Sequence, residues 1–130
     1  MSVERQPITA GHAPAAVGPY SHAVRSGGFL FLSGQTPLDP ATGQLVAGDV
    51  GEQTRQCLRN LRVVCEAAGA RLEDAVRCGI YVTDMSTFGD VNTAYAEFFP
   101  DAPPARSTIG VAALPVSAQV EIDAIVALES

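Results

Sequence analysis

The stretch that most limits what this chain can fold into runs from Val50 to Ala68. Val50, Thr54, Cys57, Leu61, Val64, Cys65 and Ala68 recur at helical spacing along one face, and Glu52, Arg55, Arg59, Arg62 and Glu66 lie mostly opposite. Asp49, with Glu52 three residues on, is a capping-box signature, and Gly69 supplies a stop. A helix with a single apolar stripe needs a single partner layer, so the spacing predicts a helix laid on one side of a sheet. Its three arginines have Glu52 and Glu66 within helical reach and read as a solvated face, not a binding patch.

The rest of the chain supplies that sheet. Ser2 to Ala10 predicts a short first strand, and Gly11 to Tyr20 a loop. After the Gly27-Gly28 turn signal, Phe29 to Ser33 has the apolar density of a buried strand, which must end before Pro37. Asp39 to Gly43 predicts a tight turn into a short return strand, Gln44 to Val46. Val76, Cys78, Ile80 and Val82 alternate with Arg77, Gly79, Tyr81 and Thr83, predicting a strand with one buried face. Phe88, Val91, Tyr95 and Phe98 mark a second amphipathic helix, ended by Pro100. Two strand-like runs, Arg106 to Ala113 and Gln119 to Leu128, flank a Leu114-Pro115 turn. The order is three strands, helix, strand, helix, two strands: an α+β two-layer fold, a mixed sheet with two helices on one face, in a single domain over residues 1–130. The uncovered face is expected to hold Arg106, Tyr81 and Glu121 among apolar neighbours such as Ile125, and so mixed a face predicts self-association.

Charge narrows the chemistry. Eight cations against 14 acids give a net charge of −6, and every cation is Arg. Without Lys there is no Schiff-base lysine, phosphate-loop lysine or lysine base. An acidic chain without a basic cluster also lacks the electrostatic footprint of a nucleic-acid binder. Cys57, Cys65 and Cys78 read as buried thiols in place of a disulfide framework or metal site. Residues 1–8 lack the apolar run of a signal peptide, and no stretch approaches a membrane span, so the expectation is a cytoplasmic protein. His12 and His22 both fall in the early loop region without metal-ligand spacing, no serine sits in a nucleophile elbow, and both histidines read as loop packing.

Between Cys78 and Ser130 there are seven acids and one cation, Arg106. A lone guanidinium is either an ion-pair partner or an anchor for a small carboxylate. If it is an anchor, Glu121 becomes the candidate acid/base group, with the hydroxyls of Tyr20, Ser33, Tyr81 and Thr108 and the amide of Asn92 as accessory groups. Binding plus one such group suffices only for an easy reaction, such as hydrolysis of an electrophilic C=N bond, which needs no cofactor.

Gly18-Pro19-Tyr20-Ser21, Ser33-Gly34-Gln35, Asn60-Leu61, Ala67-Ala68-Gly69, Val91-Asn92-x-x-Tyr95-x-x-Phe98-Phe99, Pro104-Ala105-Arg106-Ser107, Leu114-Pro115 and Val120-Glu121-Ile122 together resemble the Rid family of reactive intermediate deaminases, also called YjgF/YER057c/UK114. The likeness runs from about Ala13 to Leu128. It implies a chorismate-mutase-like fold and a homotrimer around a central sheet barrel, with active sites in clefts between subunits. It also implies hydrolysis of 2-imino acids, or enamine tautomers such as 2-aminoacrylate, to 2-keto acids and ammonia. By motif, Arg106 would bind the substrate carboxylate and Glu121 would orient the attacking water. Tyr20, Ser33, Gly34 and Asn92 would line the cleft, and the backbone at Thr108 would face the imine nitrogen. Thr108 stands where many members have Cys, His22 where Gln is common, and the Pro100 to Pro103 link is short; these departures bear on substrate range.

Two other readings remain at this point. The same trimer cleft would serve a ligand-binding or regulatory module that senses small carboxylates without turnover. An endoribonuclease or translation-inhibitor role is often attached to relatives, and the −6 charge without Lys argues against it.

Overall fold

Alternating apolar residues build the strands, and the computed structural model describes residues 3–129. The strands are β1 (Gln6–Ile8), β2 (Ala23–Ser26), β3 (Phe29–Gln35), β4 (Ala75–Val82), β5 (Ala105–Gly110) and β6 (Val120–Ala127). They form one mixed sheet in the order β1-β2-β3-β6-β4-β5, antiparallel throughout except for β4 against β5. Helices α1 (Val50–Ala67) and α2 (Phe88–Ala96) pack on one side. Leu30, Ile80, Val82, Ile122 and Val126 of the sheet meet Leu58, Leu61 and Val64 of α1 in a solvent-free core. Burying each such side chain stabilises the fold by about 1.5–3 kcal/mol before conformational entropy is counted.

The helix termini follow the sequence signals. Asp49 Oδ1 accepts from the Glu52 N–H at 3.0 Å, a cap worth about 1 kcal/mol. Glu52 does not complete the box: its carboxylate pairs with Arg55 at 2.6 Å. At the other end Gly69 takes φ 73°, its N–H donates to the Glu66 carbonyl at 3.1 Å, and Ala70 N–H donates to Cys65 at 2.8 Å. This is a Schellman closure. Arg55 also pairs with Glu97 at 2.8 Å, and the Arg62 guanidinium stacks on Phe98, so these arginines work within the fold.

Four expectations change. The first strand is Gln6–Ile8 only; Ser2 lies outside the described residues. The second strand is Ala23–Ser26, hairpinned onto β3 through Gly27 at φ 61°; four residues with two polar ones show too little alternation to be read. The predicted return strand Gln44 to Val46 is instead part of a local loop. It is closed by a Leu38–Leu45 bridge and by Val46 N–H donating to the Pro37 carbonyl, while Pro37 and Pro40 remove ladder donors.

The last correction concerns the site. Arg106 pairs in register with buried Cys78, and Glu121 with Tyr81. Arg106 and Thr108 therefore face the helix layer at the β5 edge, while Glu121, Tyr81, Asp123 and Ile125 share the uncovered face. Phe29 and Phe31, both near 40% exposed, and Ile109 lie on that uncovered face too, so it mixes exposed apolar side chains with the Glu121 and Asp123 carboxylates.

Candidate active site

The sequence-predicted residues fall into two separate clefts. Tyr20, Ser33, Gly34 and Glu121 line a cavity of about 310 Å³ between the end of β3, the start of β6 and the loop after β1. Asn92 and Arg106 line a second cleft of about 360 Å³ between α2 and the segment leading into β5. Thr108 lies two residues beyond Arg106 on the same strand face.

The loops of the first cavity are fastened from below by α1. Buried Asn60 donates from Nδ2 to the carbonyls of Thr36, at 3.2 Å, and Leu38, at 2.9 Å. Buried Gln53 accepts from Gln119 N–H at 2.9 Å. His22 fixes the opposite wall: its Nδ1 accepts from Ala10 N–H at 2.9 Å and its Nε2–H donates to the Pro14 carbonyl at 2.8 Å. These bonds define the neutral tautomer and account for both ring nitrogens. The Ser33 hydroxyl donates to the Ser21 carbonyl at 2.7 Å, and the Tyr20 hydroxyl accepts from Val17 N–H at 3.2 Å.

Glu121 lies against Gly34 so closely that a Cβ there would come within 3.0 Å of the carboxyl carbon. The absence of a side chain at residue 34 is what lets this carboxylate occupy the cavity. Burial first, and then the charge of Asp123 on the same strand face, push the Glu121 carboxyl above its usual range. Asp123 is held as a neighbour by Gly79 N–H and by the Tyr81 hydroxyl, each at 3.0 Å. Burial thus makes the Glu121 carboxyl a weaker acid, and its carboxylate a better proton acceptor, than an exposed glutamate.

Arg106 is the counterpart in the second cleft. Its guanidinium sits 4.9 Å from the Tyr95 ring centroid and 5.5 Å from that of Phe88, and makes no ion pair among the described residues. Aromatic faces orient the charge without using its N–H donors, which stay free for an anion. Nearby, Asn92 Oδ1 and Thr108 Oγ1 are buried without hydrogen-bond partners among the described residues, and the buried Tyr95 hydroxyl lies against the Cys78 thiol. Asn92 and Tyr95 line the cleft with Arg106, whose guanidinium can hold a carboxylate through paired N–H donors.

Several contributors went unread in the sequence: Gln53 and Asn60 as loop anchors, Leu38 and Val116 as cavity lining, and Tyr95 as the platform for Arg106. Cys57, Cys65 and Cys78 are free and buried, and burial lifts the Cys65 thiol to about 12. Among the described residues no group of three His, Cys, Asp or Glu side chains is placed to hold a metal ion, and no helix is long and apolar enough to cross a membrane.

A mixed sheet with one helix layer, a carboxylate pocket and an unpaired arginine cleft define the class of protein, and comparison with known proteins gives the family. Residues 10–128 match the model of the family described as Endoribonuclease L-PSP. The chain belongs to this family, the YjgF/UK114 or Rid family. It is 46% identical to a RutC family protein of Pyrococcus horikoshii over 88% of this chain and 90% of that one. A mouse protein named 2-iminobutanoate/2-iminopropanoate deaminase is 44% identical, covering 95% and 92%. Among solved structures, RidA from the Antarctic bacterium Psychrobacter superposes with a TM-score of 0.90 at 40% identity, covering 95% and 99%.

Proposed function

We propose that this protein hydrolyses 2-imino acids, or their enamine tautomers, to 2-keto acids and ammonia, as a homotrimer whose sites lie between subunits. The observation that carries the reading is the division of the site. The anion-binding half, Arg106 with Asn92, and the acid/base half, Glu121 with Tyr20, Ser33 and Gly34, line separate clefts, so neither cleft holds both groups the reaction needs. The exposed Phe29, Phe31 and Ile109 on the uncovered sheet face next to Glu121 give neighbouring chains a surface on which to meet, so that the Arg106 cleft of one closes the Glu121 cavity of the next. Relatives named 2-iminobutanoate/2-iminopropanoate deaminase and Reactive Intermediate Deaminase A support the same reaction.

In the assembled site Arg106 grips the substrate carboxylate through two parallel N–H donors. Glu121 takes a proton from a water as its oxygen adds to the C=N carbon and passes that proton to the imine nitrogen, giving a tetrahedral amino alcohol. Glu121 then takes the proton of the new hydroxyl group and delivers it to the amine nitrogen, so that the C–N bond breaks, the carbonyl forms and ammonia leaves. A carboxyl raised above its usual range suits both transfers. To test the reading, 2-iminopropanoate or 2-iminobutanoate is generated in situ with an amino acid oxidase and its decay followed. Wild type no faster than Arg106→Ala would sink it.

The family description points to a second reading, RNA cleavage. The net charge of −6 without Lys, and a His22 whose two nitrogens are both bound to backbone, leave that chemistry without a phosphate-binding surface or a histidine pair. RNA cleavage by nuclease-free wild type that disappears in Arg106→Ala would reverse this ranking.

A further inference from the structure

A β-branched residue is poorly suited to left-handed backbone, yet Val116 adopts φ 56° and ψ 23°, and Ser117 follows at φ 60°. The turn is pinned on its C-terminal side, where Ala118 N–H donates to the Pro115 carbonyl at 3.1 Å and Gln119 N–H to buried Gln53 at 2.9 Å. Glycine or asparagine would take this backbone with less strain, so chain geometry alone does not account for a valine. What Val116 supplies is an isopropyl group on the wall of the Glu121 cavity, 47% exposed and free to meet a ligand. Pro14, Val17 and Leu38 extend the same apolar wall, and Glu121 is the one charged side chain lining the cavity among the described residues.

We propose that Val116 is a specificity-determining residue that selects 2-imino acids with an apolar side chain against those with a second carboxylate. The proposal rests on the deaminase reading. With the substrate carboxylate on Arg106 and the C=N carbon beside Glu121, the substituent on that carbon is the part left to meet the Val116 wall. An acidic substituent turned toward Val116 would find no donor there and would share the cavity with the Glu121 carboxylate, its one charged side chain among the described residues.

The test compares kcat/KM for imines generated in situ by amino acid oxidases from leucine and from glutamate, in wild type, Val116→Gly and Val116→Lys. Calorimetric binding of the two corresponding 2-keto acids runs beside it. Wild type is expected to prefer the leucine-derived imine. That preference should fall by about 10-fold in Val116→Gly and further in Val116→Lys, where a cation meets the second carboxylate. Val116→Gly should melt no lower than wild type, because relief of the strained backbone offsets the extra freedom of glycine in the unfolded chain. A preference that moves by less than about twofold in both variants, or a wild type that favours the glutamate-derived imine, overturns the proposal. Keto-acid binding without hydrolysis would instead sink the deaminase reading, and the shift in binding preference then decides Val116 by the same criterion.

Discussion

Replacing Gly34 by alanine should separate catalysis from folding. A Cβ at residue 34 would lie within 3.0 Å of the Glu121 carboxyl carbon and 3.2 Å of its Cγ, closer than side chains tolerate. Gly34 does not sit in left-handed backbone, so alanine is compatible with the main chain, and the contact is with the far end of a flexible side chain. The expected relief is a rotation of Glu121 out of the cavity. Alanine also restricts the unfolded chain, worth about 0.4–1 kcal/mol in favour of folding, which offsets part of the contact. Net stability should change by less than about 1 kcal/mol. Moving an acid/base group by about 1 Å costs on the order of 10²-fold, or about 2.7 kcal/mol of barrier. Urea unfolding and the oxidase-coupled imine assay read the two quantities separately. Full kcat/KM in Gly34→Ala would refute the placement of Glu121 as the reacting group. A variant more than about 2 kcal/mol less stable would refute the claim that the contact is local.

Arg106→Lys should lose most activity, about 10²-fold or more in kcat/KM, because an ammonium cannot form the paired donors or stack on Tyr95 and Phe88; with no ion pair to break, the melting temperature should barely move. Glu121→Gln should abolish hydrolysis yet stabilise the protein near neutral pH. Its carboxyl is raised in the folded state by burial and by Asp123, so folding works against ionisation once the pH exceeds that raised value. The stability gain in urea unfolding should be full near pH 7 and vanish as the pH falls below about 4, where the unfolded carboxyl is protonated too. Asn60→Ala strips the Thr36 and Leu38 carbonyls of their donor, which should cost about 1–3 kcal/mol and raise KM through the loosened loop, as paired unfolding and kinetic measurements would show.

The helical period from Val50 to Ala68, the Asp49 cap and the Gly69 stop were all legible, because a helix on a single layer carries its own pattern. Arg106 was misplaced for a physical reason. Alternation tells which residues share a face within one strand, but the relative faces of β5 and β6 depend on registers with β4 that no local pattern records. Cys78 opposite Arg106, and Tyr81 opposite Glu121, decide it. The likeness to a known family named the residues of both half-sites, yet the chain keeps them apart, with Tyr20 beside Glu121 and Asn92 beside Arg106. Asn60 left a faint trace as a polar residue next to Leu61 on the buried side of α1. Val116 left none, since valine is among the residues least expected at φ 56°.

The proposed reaction requires the two half-sites to be joined between chains. Coexpressing Arg106→Ala with Glu121→Gln tests this directly, because each variant keeps the half that the other lacks. If the chains assemble as the proposed homotrimer, random mixing would pair an intact Arg106 cleft with an intact Glu121 cavity at about one quarter of the interfaces. Imine hydrolysis should then return to about a quarter of the wild-type rate, although each variant alone is inactive. Mixed trimers that form but remain as inactive as the separate variants would place both residues in one chain's site and contradict the account.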